Sequence, residues 1–184
     1  MTIIHTLDLN FLGIPHVIAS YLIKHSKGAL IVESGPGSTL DGLRTALATH
    51  DLTVHDITDV LLTHIHLDHA GAAGWLARHA HHGQGANIYV HPNGAPHLLN
   101  PEKLLNSATR IYGAMVDTLW GEFLAVPAER LIVLHGRVYR SGRSADRRSR
   151  SLAGLAARLS ARQARRGIRP TGYPSSRRRC GWRC

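Results

Sequence analysis

Cysteine is almost absent from this chain. Of 184 residues only Cys180 and Cys184 carry a thiol, and they stand too close together to staple a fold. No disulfide framework is implied, and a reducing, cytoplasmic setting is the expectation. Long apolar runs are missing as well. The stretch from Phe11 to Ile23 is broken by Pro15 and His16 and lacks the flanks of a signal peptide, so neither secretion nor a membrane span is expected. Aromatic residues make up only 5%. The 43% hydrophobic content that remains suffices for one domain with a real core and falls short of two of ordinary size.

Acid is what the C-terminal stretch lacks. Residues 136–184 hold 15 Arg, no Lys and a single carboxylate, Asp146, a balance of +14, whereas residues 1–135 hold seven Lys and Arg against eleven Asp and Glu, a balance of −4. The formal net charge of +10 therefore describes the tail alone. The tail has five residues of the Val, Leu, Ile, Phe and Met kind, too few for a packed core. The expected division is a domain over 1–135 and an irregular, disordered Arg-rich tail over 136–184. Its Arg, Ser, Ala and Gly are also what G- and C-rich codons encode when read out of register, so a frameshift origin is a second expectation. A basic arm binding nucleic acid or an anionic membrane surface is the functional alternative. Only Tyr139, Tyr173 and Trp182 are there to stack on bases, and a nucleic-acid partner is not expected.

Along the first part, Ile3 to Leu7, Val17 to Ile23 and Ala29 to Val32 read as strands, the last two joined by the turn-like His25-Ser26-Lys27-Gly28. Leu40, Leu43, Ala46 and Leu47 give a helix over about 39–48, with Ser38 and Asp41 as its capping pair. Asp59 to Thr63 reads as a buried strand and Gly71 to Ala80 as a helix. Asn87 to Val90 is a strand, Pro92 to Gly94 a turn, Pro101 to Tyr112 a helix with Pro at its start, and Leu131 to Leu134 a strand. Strands alternating with helices make the class α/β.

All 14 His lie at or before His135. The densest group is Thr63-His64-Ile65-His66-Leu67-Asp68-His69, between the apolar strand and the next helix. In extended chain His64 and His66 point to one side, and a turn at Asp68-His69 can bring the following pair to face them. Imidazole and carboxylate are ligands of zinc-like cations, so two adjacent metal half-sites and hydrolysis by an activated water follow. Elsewhere, His79, His81 and His82 read as solvated residues at a helix end, and His91 and His97 as loop and helix residues. Gly35 and Gly37 read as a tight strand-to-helix turn, and Trp75 and Trp120 as core or groove-edge aromatics.

His64, His66, Asp68 and His69 resemble the signature His-x-His-x-Asp-His of the metallo-β-lactamase fold hydrolases, and the order of elements from Ile3 to Leu134 resembles the glyoxalase II-like branch. The resemblance covers the N-terminal part only. It implies an αββα sandwich, of which this chain carries the first half, with the metal site at the edge of a mixed sheet. It implies two zinc ions, one on His64 and His66 and one on Asp68 and His69, with Asp68 helping to hold the nucleophilic water. It also implies a small-molecule ester or thioester as substrate. Val32-Glu33-Ser34-Gly35-Pro36-Gly37 looks like the family's strand-ending loop, with Glu33 where Asp is usual. The later ligands of the family, in Gly-His and Gly-Asp contexts, have no counterpart here: His135 precedes Gly136, and Asp146 lies in Ala-Asp-Arg-Arg. The expectation is therefore a truncated, impaired hydrolase. A nuclease of the same superfamily and a non-catalytic, basic-tailed fragment are the alternatives.

Overall fold

The computed structural model describes residues 3–134; the Arg-rich tail and His135, with every expectation attached to them, lie outside the described residues. Six strands form one mixed sheet in sequential order: β1 (Ile4–Asp8), β2 (Ala19–His25), β3 (Gly28–Val32), β4 (Ile57–Leu61), β5 (Asn87–Val90) and β6 (Leu131–Val133). β1, β2 and β3 pair antiparallel, and β3 to β6 run parallel. The change of sense follows from the connections. Ser26-Lys27 closes a two-residue hairpin with His25 opposite Gly28, whereas each parallel step needs a crossover. The crossovers are α1 (Leu40–Ala48), then α2 (Leu67–Ala70) with α3 (Ala73–His79), then α4 (Ala95–Leu99), α5 (Glu102–Tyr112) and α6 (Val116–Trp120). No helix among the described residues is long and apolar enough to cross a membrane.

One apolar cluster organises the described region. Leu22, Ile31, Val60, Ile88 and Val90 from the strands meet Leu43 and Leu47 of α1, Leu67 of α2, Leu76 of α3 and Leu98 of α4. These strand residues are neighbours in register and share a sheet face: Leu22 stands opposite Ile31, Ile31 opposite Val60, and Val60 opposite Ile88. The alternate positions Ile23, Leu30 and Leu61 are buried too but lie outside that cluster. On their side Asp59 of β4 accepts hydrogen bonds from Thr58 Oγ1 at 2.7 Å, Tyr89 Oη at 3.0 Å and Asn87 Nδ2 at 3.2 Å.

Two local expectations need correction. Ser38 does not cap α1: its hydroxyl donates to the Leu119 carbonyl at 2.6 Å, Asp41 pairs with Arg44, and Thr39 takes the N-cap position with no side-chain cap bond. The sequence pattern could not anticipate a partner 81 residues away. Second, α3 ends at His79, and His81 and His82 follow it in a separate 3-10 turn on left-handed backbone, φ 47° and 54°. They are not at the negative end of α3.

Candidate metal centre

In a parallel sheet the residues just beyond strand ends face a common rim, because the chain must leave the sheet there to start its crossover. Val32, the last residue of β3, is in register with Leu61, the last of β4. Glu33 therefore emerges beside the segment 62–66, and the two strand exits are the third and fourth of six. The candidate site lies at this carboxyl-terminal rim, between interior strands.

The chain leaves β4 in extended form. Ile65 is half-buried and packs against the cluster, next to Gly94, where any Cβ would press on the Ile65 side chain. With Ile65 turned inward, the period of two sends His64 and His66 the other way. Their rings meet edge-on with centroids 4.8 Å apart. His66 is the extended N-cap residue of α2, ψ 154°, and Asp68 and His69 occupy the single turn that follows. The helix brings the His69 ring back over His64, centroids 3.9 Å apart. The sequence pattern places a turn here; a four-residue helix does that work.

The second strand exit is stitched to this helix. Ser34 N–H donates to the His69 carbonyl at 2.7 Å, Ser34 Oγ donates to the same oxygen at 3.0 Å, and Ala72 N–H donates to the Gly35 carbonyl at 2.8 Å. Gly35 stands at φ 71°, and a Cβ there would overlap Leu9, which supports the tight-turn role expected of it. Glu33 itself has left-handed backbone, φ 66°, uncommon for a residue with a side chain. Its side chain is 6% exposed. Oε1 accepts from Thr63 N–H at 3.2 Å. Oε2 lies 3.4 Å from His69 Nδ1, and among the described residues neither atom has a hydrogen-bond partner. His69 Nε2, on the far side of the ring, is 3.2 Å from Asp68 Oδ2.

Two overlapping donor sets result. Glu33, His64 and His69 each offer one ligand atom, all within 4.8 Å of one another, and so do His64, His66 and Asp68. All four residues of the His-x-His-x-Asp-His segment are thus brought together, and Glu33 joins them. Sequence reading registered Glu33 only as a departure from Asp; its membership depends on the register of β3 against β4. Burial pushes the Glu33 carboxyl up, opposed by the Thr63 hydrogen bonds and the nearby His64. Burial, then the proximity of His69 and His66, pushes His64 down. A neutral imidazole is the form that binds cations. Two orphaned buried atoms and a set of imidazoles and carboxylates fit a zinc-like ion.

Around the rim, His91 is exposed, and its Nδ1 accepts from Asn93 N–H at 3.2 Å. Trp75 lies under the Arg44 guanidinium, 5.2 Å from ring centroid to carbon. Trp120 stacks on Phe11 at 5.8 Å and meets Tyr112 edge-on at 5.3 Å.

Residues 13–143 match the family model described as the metallo-beta-lactamase superfamily. The fold is also similar to solved structures. A mutant of the metallo-beta-lactamase from Legionella gormanii shares 16% identity at a TM-score of 0.52, covering 71% of this chain and 43% of that one. A metallo-beta-lactamase family protein from Thermus thermophilus shares 22% identity at a TM-score of 0.51, covering 73% and 46%. The chain thus spans less than half the length of each. No curated protein matches it.

Proposed function

The chain belongs to the metallo-beta-lactamase superfamily, and from that premise we propose that it is a metal-dependent hydrolase acting on a small-molecule ester or thioester. The observation that carries this reading is the convergence of His64, His66, Asp68 and His69, with Glu33 beside them, at the open ends of β3 and β4. His64 and His66 are assigned to one ion, Asp68 and His69 to a second, and zinc is the ion proposed. Zinc bound there would supply Lewis acidity and bring the pKa of a coordinated water down towards ~7.

The protein's own groups do the rest. The Asp68 side chain is 42% exposed, so its carboxylate is open to solvent and can orient the attacking water through an accepted hydrogen bond. The ester and thioester preference rests on the resemblance of the order of elements to the glyoxalase II-like branch. Turnover by this chain is proposed to be slow, because the five donors among the described residues leave two ions short of the ligands that a tight tetrahedral site requires. The scarcity of thiols supports a cytoplasmic setting.

The test is hydrolysis of p-nitrophenyl acetate and of an S-acyl thioester by zinc-loaded chain, beside His64→Ala and Asp68→Ala. Slow ester and thioester turnover that falls at least ~100-fold in both variants is expected, since each removes a group on which activation of water depends. Unchanged rates in the variants, or faster cleavage of a phosphodiester than of either ester, would contradict it.

A further inference from the structure

We propose that the loop 9–18 and the segment 111–120 together form a subsite for a medium-length aliphatic acyl group of an ester or thioester. The inference rests on the metallo-hydrolase reading and deepens it by naming the group that lies beside the scissile bond.

Exposed apolar surface is concentrated in these two segments. Among the described residues nine large hydrophobic side chains are exposed, and Leu12, Ile14, Val17, Ile111, Tyr112 and Met115 account for six of them. The segments meet through their aromatic rings: Phe11 stacks on Trp120 with centroids 5.8 Å apart, and Trp120 meets Tyr112 edge-on at 5.3 Å. Residues 11–15 and 111–116 include no charged side chain. Apolar surface gathered in this way marks a binding site, and the lack of charge suits an uncharged aliphatic occupant.

Both segments reach the rim that carries the candidate metal centre. Asp8, the last residue of β1, is in register with Ala19, the first of β2, and Tyr21 with Val32, the last of β3. The loop 9–18 therefore leaves the sheet at the rim from which Glu33 emerges. From the other segment, the Leu119 carbonyl accepts from Ser38 Oγ at 2.6 Å, and a Cβ at Gly37 would overlap the Glu122 carbonyl. The chain just after α2 borders the same turn, since a Cβ at Gly71, two residues after His69, would press on Pro36 and Gly37. The apolar surface and the metal-binding helix thus share residues 36–38 as a neighbour.

The loop is also held in place. Asp8 Oδ1 accepts from Asn10 N–H at 3.0 Å and Oδ2 from His16 N–H at 2.9 Å, which ties both arms of the loop to β1. Leu12 is kept on left-handed backbone, φ 54°, uncommon for a residue with a side chain. Backbone strain persists where the surroundings over-determine it, and it gathers at ligand sites. An acyl chain laid across Leu12, Ile14 and Met115 would withdraw apolar surface from water on both partners.

The experiment compares kcat/KM for p-nitrophenyl butyrate and p-nitrophenyl octanoate in the zinc-loaded full chain, native and Ile14→Ser/Met115→Ser. Calorimetry titrates octanamide, a probe without a zinc-binding carboxylate, into the metal-free form of each. Both substituted side chains are exposed; circular dichroism checks folding, and Met115→Ser alone serves if the double variant fails that check. Full burial of a methylene is worth about fourfold in affinity and half-burial about twofold, so the octanoate should exceed the butyrate at least about tenfold, chiefly through KM. In the variant the ratio should fall below about threefold, and octanamide should bind at least about tenfold more weakly. Equal native rates on the two esters, or an undiminished ratio in the variant, overturns the inference, while butyrate turnover leaves the metallo-hydrolase reading standing. If neither ester is turned over, that reading fails and octanamide decides: weaker binding in the variant upholds the subsite, and equal or absent binding overturns it. A dimer, or adsorption to phosphatidylcholine vesicles, that the variant abolishes and that occurs without octanamide binding assigns the patch to another partner and overturns the inference.

Discussion

Gly42 and Gly83 show how differently two glycines of one chain are constrained. Gly42 lies inside α1, where a Cβ would overlap the Leu9 main chain. Alanine is the better helix former by about 1 kcal/mol, yet the clash is with backbone and cannot be relieved by a rotamer change. Gly42→Ala is therefore expected to lose about 1–3 kcal/mol of stability by overpacking. Gly83, at φ 81°, has open space around its Cα, and Gly83→Asn should be close to neutral because Asn tolerates left-handed backbone. Urea melts of the two variants check the pair; equal losses would contradict it. Glu33 belongs to the same scale. Its position after an apolar strand was legible in the sequence, but its role was not, because the His69 ring it faces is 36 positions along the chain and is brought near only by the pairing of Val32 with Leu61.

At the scale of elements, β4 and β5 are joined by backbone hydrogen bonds and by the polar group around Asp59. Tyr89 donates to that carboxylate, and its phenol is pushed up to about 12, first by burial and then by the charge and hydrogen bond of Asp59. The unfolded value is near 10, so the folded chain holds this proton more tightly. The resulting stability is complete below about pH 10 and is lost as pH rises towards about 12. Urea midpoints at about pH 9 and about pH 11.5 should draw apart less in Tyr89→Phe than in the native chain; an equal separation would refute the assignment. On the opposite face, Leu76 anchors α3 in the shared cluster, and Leu76→Ala should cost about 2–5 kcal/mol through the cavity it leaves. Most elements were legible because each strand is a short apolar run and each long helix has a spaced apolar face: Asn87–Val90 agrees to the residue, and Glu102–Tyr112 differs by one. The short α2 and α6 escaped, since four or five residues cannot display a helical period, and α4 was foreseen only as the helix that carries His97.

For the molecule as a whole, the fold places chemistry where two crossovers leave a parallel sheet. The His-x-His-x-Asp-His segment pointed to candidate donors because their spacing is local, and the family resemblance foresaw the mixed sheet that presents them. The sharing of donors between Glu33, His64 and His69 on one side and His64, His66 and Asp68 on the other depends on strand register, which no local pattern encodes. An ion bound by the folded chain and not by the unfolded one raises stability by mass action, by about 2.7 kcal/mol at a hundred times its dissociation constant. The melting temperature of chelator-treated chain should therefore rise on adding zinc, and the rise should vanish in His64→Ala, which removes the one residue common to both donor sets. The most direct measurement is zinc content per chain after dialysis, by elemental mass spectrometry, in the native protein and in His64→Ala. The predicted result is retained zinc in the native chain, held by the overlapping donor sets that share His64, and almost none in the variant. A native chain that retains no zinc, or a variant that retains as much, would contradict it.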